Sequence, residues 1–444
     1  MTTVLSADWV LPIEGAPIEK GAVAISDGRI AAVGTVEELG EGKRYPDSAI
    51  LPGLVSAHSH LEYAVYGGFG DGLDFADWII VHTERKGRIG FEEMEASARL
   101  GALECLRSGI TTVGDASFCG AAALACAELG LRAIVYLEVF GRDLAQLSDR
   151  FERNRERIER YLSERVRVGI SPHAPYTVSP ELYAACLELD LPVATHLNES
   201  AAELRWLHDG TGPWARFADI LPPPPGQSGI RMLARHGLLD ERMVAAHCVK
   251  VDTEEIDLLA EHDVAVAHCP RSNALLGCGI APLRELRGAG LRIGLGTDSP
   301  ASTPSFDMFD ELRAAIYAAR AREEQPGALS AGAALELASI GAARALRLED
   351  EIGSLVPGKR ADLAVVSLTG SPHLPWEDPA AAVVFGGSPD RILATFVDGK
   401  PRYERGGLEW HELTAAAHSA RRAMLAPAAP AARGEAAAPL PRAR

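Results

Sequence analysis

Two histidines spaced two apart, His58 and His60, end the apolar stretch Leu-Pro-Gly-Leu-Val-Ser-Ala-His-Ser-His-Leu-Glu at residues 51–62. On a strand that spacing points both imidazoles the same way. Two neutral imidazoles converging from one strand end are part of what a divalent transition metal accepts. A lone His-x-His carries little weight, so its partners decide. Five such partners follow: His173 in Ser-Pro-His-Ala-Pro-Tyr, His196 in Ala-Thr-His-Leu-Asn-Glu-Ser, then His247, His268, and Asp298 in Gly-Leu-Gly-Thr-Asp-Ser. Each lies at or just past the end of a short apolar run. Histidines satisfied inside a core would scatter along such runs, so the pattern points to a mononuclear metal site.

A hydrolytic metal needs a few protein ligands and an open position for water, whose pKa it lowers towards ~7. His58, His60, His196 and Asp298 form the best ligand set. Imidazole and carboxylate suit one divalent metal, zinc first and iron next. Asp298 also serves as a base for the water's proton. Glu199, three residues after His196, is the natural proton shuttle to a substrate nitrogen, against the plainer reading of a carboxylate at a helix N-terminus. His247 then orients or polarises the nucleophile without being a ligand. The run 165–179 has no lysine that could be carboxylated to bridge two ions, which favours one metal. Glu62 and Glu138 are candidates for reading a substrate's polar edge. Trp206 and Trp214 read as helix-packing aromatics.

Eight apolar runs must carry these residues: 54–60, 111–115, 133–140, 166–172, 193–197, 244–248, 264–268 and 292–297. Helix-length amphipathic stretches, such as 91–107, 144–162, 180–189, 254–261 and 282–288, lie between them. Strict alternation implies a parallel sheet, and eight units over some 300 residues imply a closed (β/α)8 TIM-type barrel with its chemistry at the C-terminal strand ends. Residues 3–33 alternate short β-like runs with turns at Asp8, Glu14-Gly15 and Asp27-Gly28, and similar segments return at 353–366 and 392–402 with the turn Asp398-Gly399. Both chain ends are therefore expected to meet in a small β-sandwich. The division is 1–51 and 353–408 for the sandwich and 52–352 for the barrel, with a short helix and a disordered Ala/Pro/Arg-rich tail in 409–444.

The 444 residues, 47% hydrophobic and 24% charged, suit a globular chain, and a net charge of −17 disfavours nucleic acid as a partner. A small-molecule substrate is expected, with a homodimer left open. No run is long enough to span a membrane and no signal peptide is seen, so the cytoplasm is expected. Seven cysteines without a C-x-x-C pair fit free thiols, with Cys105, Cys126 and Cys186 in the core.

Taken together, Pro52-Gly53 before His58-x-His60, His196-x-x-Glu199, Ala246-His247-Cys248, His268-Cys269-Pro270-Arg271-Ser272-Asn273 and Gly296-Thr297-Asp298 resemble the amidohydrolase superfamily, in its branch of adenosine-type and S-adenosylhomocysteine deaminases, guanine deaminases and triazine hydrolases. The resemblance runs from about Ser6 to Glu404. It implies a distorted barrel with one zinc or iron, the same four ligands, Glu199 and His247 as catalytic groups, and His173 as a substrate contact. Retention of Glu199 favours deamination over cutting of another ring substituent. The surroundings of His58, His173 and Glu199 look most like the aminodeoxyfutalosine deaminases of menaquinone biosynthesis. The stretch Phe75-Ala-Asp-Trp78 resembles a lid whose Trp78 covers a ring. Residues 79–90 lack the ribose-binding glutamate of adenosylhomocysteine deaminases at its usual offset. Adenosine, adenosylhomocysteine and guanine deamination, triazine-type hydrolysis, and a non-catalytic assembly role are the alternatives; the last fits poorly with the presence of every expected group.

Overall fold

The computed structural model describes residues 2–370, 377–407 and 410–426. Eight parallel strands, Leu54–Ser59, Ile110–Ser117, Arg132–Val139, Val166–Pro172, Val193–Leu197, Met243–His247, Ala265–His268 and Ile293–Leu295, pair in chain order into one sheet. All eight expected runs are strands, shifted by a few residues at their ends. The sheet closes between its first and last members through an isolated parallel bridge, Ser59 to Asp298, and Asp298 N donates to the His58 carbonyl at 3.1 Å. The outer helices follow the expected pattern. Phe91–Arg107 is continuous, whereas 144–162 breaks into a π turn at Leu147–Glu152, a short α-helix and a 3₁₀ turn.

The barrel is plugged at its N-terminal end. Val55, Ala57, Ile134, Tyr136, Ala194, Val244, Ala265 and Ala267 point inward and pack on the helix Ile340–Ala345 and on Leu346, Leu348 and Ile352. That apolar filling leaves the C-terminal end as the place where inward side chains can be polar. Gly296 is required there, because a Cβ at this position would sit 2.9 Å from His58 Cβ and 3.0 Å from its carbonyl oxygen. The last strand can approach the first this closely only with glycine.

The sandwich expected from the chain ends is one mixed sheet, in the order Lys400–Glu404, Ile392–Val397, Leu363–Ser367, Lys43–Pro52, Thr3–Val10, Gly21–Ser26 and Arg29–Thr35, with Ile18–Glu19 added beside Thr3–Val10. Within residues 3–35 every pairing is antiparallel, and Thr3–Val10 also pairs in parallel with Lys43–Pro52. The sheet curls until its two hairpin turns meet. Asp27-Gly28 and Asp398-Gly399 both take the paired positive φ of a tight hairpin turn, and Ala361 joins them, its N–H donating to Gly28 O and its carbonyl accepting from Gly399 N, both at 2.9 Å. Leu5, Val23, Ile30, Ile50, Leu363 and Phe396 fill the fold between them. Past the sheet, Trp410–Leu425 forms the expected short helix; the tail expected to be disordered lies outside the described residues.

Sheet and barrel are tied by a buried ion group. Arg132, at the start of the third barrel strand and 3% exposed, donates to both oxygens of Asp362 at 3.0 and 3.3 Å and to Asp398 at 2.7 Å. Removing a single member leaves the others uncompensated in a low dielectric. Arg132→Met is expected to lower unfolding free energy by about 3–5 kcal/mol, read from urea denaturation. A loss below 1 kcal/mol would show that the group is well solvated.

Candidate active site

The first strand does not run regularly to its end. Its pairing with the second strand shifts register between Ser56 and Ser59. Val55 and Ala57 face the barrel interior below this point, and above it His58 and His60 face inward, as a bulge allows. His60 lies past the strand and opens the 3₁₀ turn Leu61–Tyr66. Asp115 fixes the exit, its Oδ2 accepting from Leu61 N at 2.7 Å and Ser59 Oγ at 3.0 Å. Three other strand ends are turned by left-handed backbone at non-glycine residues: Asn198 (φ 48°), His247 with Cys248 (φ 74° and 46°) and Asp298 (φ 52°). Such conformations cost of order 1–3 kcal/mol each and persist where the surroundings hold them.

The imidazoles converge through their Nε2 atoms. His58 and His60 Nε2 lie 3.9 and 3.7 Å from Asp298 Oδ1, and His196 Nε2 lies 3.4 Å from His60 Nε2. The ligand-capable atoms of His58, His60 and Asp298 are all within 4.8 Å of one another, as are those of His58, His196 and His247. The opposite nitrogens are occupied. His60 Nδ1 faces Ala116 O and His196 Nδ1 faces His173 O, each at 2.8 Å. A carbonyl only accepts, so the proton sits on Nδ1 and the lone pair on Nε2. His58 Nε2 is buried with no hydrogen-bond partner, which is costly unless something binds it. Burial, reinforced by the neighbouring imidazoles, holds His58 well below the ordinary histidine pKa and His196 down at about 3. Neutral, inward lone pairs beside a carboxylate fit a divalent cation.

The two carboxylates of the cluster are driven apart. Burial first, then the charges of Asp298 and Glu203, push Glu199 well above the usual carboxylate range. Burial also opposes ionisation of Asp298, but the imidazoles of His247 and His60 outweigh it and leave its pKa lowered. The surroundings thus favour the acid form at Glu199 and the anion at Asp298, the arrangement that lets one carboxylate give a proton and its neighbour take one. Glu199 Oε2 lies 3.6 Å from His247 Nε2. Its backbone is set by Glu203, whose carboxylate accepts from Glu199 N at 2.7 Å and Asn198 N at 3.0 Å.

The remaining expected residues divide. His173 belongs to the cluster, its ring 4.7 Å from that of His196 and its Nδ1 2.8 Å from Thr177 Oγ1. Trp78 lies on the helix Phe75–Lys86 and is fastened over the last strand end, its Nε1 donating to Ala301 O at 2.7 Å. Its ring stacks on His82, and Phe75 from the same helix meets Trp214, which stacks in turn on Tyr176. Glu62 is fully buried and braces the protein: it accepts from Ser117 Oγ and from the backbone N–H groups of Phe118, Cys119 and Ala121 at 2.5–3.1 Å. Those donors occupy its carboxylate and tie the first strand's exit to the second's. Cys105, Cys126 and Cys186 are buried free thiols, as expected. Sequence reasoning gave no role to Asn273, whose Oδ1 lies 2.9 Å from His247 Nδ1, or to Ser302, whose hydroxyl donates to Asp298 Oδ2 at 3.0 Å. Asn273 closes the His-Cys-Pro-Arg-Ser-Asn motif, the one signal that marked it. Nothing in the sequence marks Ser302.

Comparison with known proteins matches residues 49–402 to the amidohydrolase family. A 5-methylthioadenosine/S-adenosylhomocysteine deaminase of Moorella thermoacetica is 34% identical over 414 residues, covering 89% of this chain and 93% of that protein. A 5'-deoxyadenosine deaminase of Methanothermobacter thermautotrophicus is 32% identical over 411 residues, covering 89% and 92%. Among solved structures, an adenosine deaminase from Xanthomonas campestris with bound zinc superposes with a TM-score of 0.82 at 29% identity, covering 95% of this chain and 98% of that one.

A single cluster of inward lone pairs sets the expected stoichiometry. Elemental analysis of the purified protein is expected to give about one zinc or iron per chain; two tightly held ions per chain would contradict this geometry.

Proposed function

The chain belongs to the amidohydrolase family, and on that footing we propose a metal-dependent deaminase that replaces a ring amino group of a purine-like nucleoside with oxygen. The observation that carries the proposal is the convergence of the His58, His60 and His196 Nε2 atoms beside Asp298 Oδ1, with Glu199 Oε2 3.6 Å from His247 Nε2 on the same face. His58, His60, His196 and Asp298 would hold one divalent cation, zinc before iron. When bound, it makes a water nucleophilic near neutral pH. Asp298 would take one proton of that water and pass it to the departing amino group, and the proton left on the new carbon-bound hydroxyl would return to Glu199. Glu199 donates its proton to the ring nitrogen beside the carbon under attack, which draws the ring's electrons away from the reacting centre and readies the amino group to leave as ammonia. His247, its Nδ1 directed at Asn273, keeps Nε2 aimed at the reacting side. His173 contacts the ring and Trp78 covers it.

The fine substrate assignment is 6-amino-6-deoxyfutalosine, converted to futalosine, a step of menaquinone biosynthesis in the cytoplasm. It is supported by the residues around His173 and Glu199 and by a lid whose glutamate, Glu84, stands at a shorter offset than the ribose-binding one of adenosylhomocysteine deaminases. A second reading, deamination of 5'-substituted adenosines, is favoured by what the relatives are named for. The deciding measurement is kcat/KM for aminodeoxyfutalosine, adenosine, S-adenosylhomocysteine and guanine. Aminodeoxyfutalosine is expected to lead by at least about tenfold, ~1.4 kcal/mol in transition-state binding. If an adenosine leads, the fine assignment fails and the deaminase stands; if no nucleoside releases ammonia, both fail.

Two tests address the proton path. Glu199→Gln is expected to keep the metal and lose at least ~100-fold in turnover, and near-normal turnover would remove Glu199 from the mechanism. Because the active form of Glu199 is protonated and its pKa is raised, activity should fall as pH climbs past that raised pKa. A kcat/KM profile without an alkaline limb would contradict the assignment.

A further inference from the structure

The helix Trp410–Leu425 lies past residue 402, where the family match ends, yet it stands against the part of the chain that covers the site. It packs on the helix Phe91–Arg107, on the turn Leu61–Tyr66 and on the lid helix Phe75–Lys86, with Ala417, Ala420 and Met424 buried. Arg421 supplies a polar link. Its Nη1 donates to Val65 O at 2.6 Å and to Gly67 O at 3.0 Å. Carbonyls at the C-terminal end of a helical turn have no donor within the turn, and one guanidinium here satisfies two of them.

Gly67 is where the braced exit of the first strand gives way to the lid. Upstream, Asp115 holds Leu61 N, and the donors of residues 117–121 hold Glu62. Downstream runs Gly67-Gly-Phe-Gly-Asp-Gly72, four glycines in six residues. Gly68 and Gly72 take positive φ (90° and 79°), with open space where a Cβ would stand. Such a run restrains its own backbone little and suits a hinge. The lid helix follows, and beyond its far end Arg88 Nη1 donates back to Met424 O at 3.4 Å. Arg421 and Met424 are three residues apart, on one face of the C-terminal helix. Residues 68–87 thus form a flap whose two feet, Gly67 and Arg88, both stand on the last turn of that helix. Over the site the flap is latched by Trp78 Nε1, which donates to Ala301 O at 2.7 Å.

We propose that Arg421 is a positioning residue for the lid: by pinning the first foot it keeps Trp78 poised over the substrate, so that binding does not have to order residues 68–87. The inference rests on the deaminase reading, in which Trp78 covers the ring, and adds to it the element that governs the cover. Its physical basis is the cost of order. A flap hinged on glycines and held by the Trp78 latch alone spreads over many open positions, and apparent affinity falls with the fraction that is closed. A fixed foot restricts the swing to one line and raises the closed fraction before substrate arrives. Arg421 acts through Gly67 and the hinge.

Arg421→Met is expected to raise KM for the best nucleoside about tenfold, the scale of losing one charge-assisted hydrogen bond. Its kcat should stay within about threefold, because the closed complex once formed is the same. Hydrogen–deuterium exchange of the metal-loaded protein without substrate should be faster in residues 68–88 and unchanged in the helix Ile340–Ala345, which plugs the far end of the barrel. Arg421→Lys should restore most of both, and Arg422→Met, which removes an exposed charge one residue on, should alter neither. Unchanged exchange in 68–88 overturns the proposal, as does an unchanged KM. Loss of the metal from Arg421→Met also overturns it, by placing the effect at His60 and not in the lid. If Arg421→Met does not fold, Arg88→Met tests the second foot: faster exchange in 68–88 supports the proposal and unchanged exchange overturns it. Absence of ammonia from every nucleoside counts against the deaminase reading alone, since the exchange measurement needs no reaction.

Discussion

The C-terminal face depends on one constraint: the Nε2 lone pairs of several buried imidazoles must be turned to a common point. Imidazoles buried side by side are costly if charged and costly if their nitrogens lack partners. The protein meets this by directing each opposite nitrogen outward to an acceptor, Ala116 O for His60, His173 O for His196 and Asn273 Oδ1 for His247. Each tautomer is fixed and each ring orientation with it. The neutral state enforced by burial is then the state a metal needs.

Much of the surrounding backbone is shaped to keep that convergence. The register shift in the first strand brings His58 and His60 inward above an interior already filled by Val55 and Ala57. Gly296 lets the last strand lie against His58, and the left-handed backbone at Asp298 turns its carboxylate back towards both histidines. The parallel bridge from Ser59 to Asp298 closes the barrel at the same level, so the step that completes the fold also assembles the site. At the opposite end the helix Ile340–Ala345 fills the barrel, and Arg132 clamps the curled sheet to it through Asp362 and Asp398.

Outside the metal-binding cluster the walls are aromatic. Trp78, His82, Phe69, Tyr63 and Tyr66 form one continuous group under the lid helix, and the same helix ends at Lys86 among Phe118, Phe140 and Tyr63.

The sequence by itself determined the barrel and the identity of the cluster, because both are written in local signals. Eight apolar runs of strand length alternate with amphipathic helices, and His58, His60, His196, His247, His268 and Asp298 each fall at or beside the end of one. Burial alternates at the same period whatever the tertiary detail, so these features survive translation from sequence to fold. Glu62 shows where that logic stops. A glutamate two residues past His60 is equally able to face a ligand or to cap a neighbouring turn, and only the approach of residues 117–121 fills its oxygens with donors. The same holds for the parallel pairing of Thr3–Val10 with Lys43–Pro52, for Asn273 behind His247 and for Lys86 among rings from three separate segments. Each depends on contacts between residues far apart in the chain, and no local period or propensity encodes which distant group arrives.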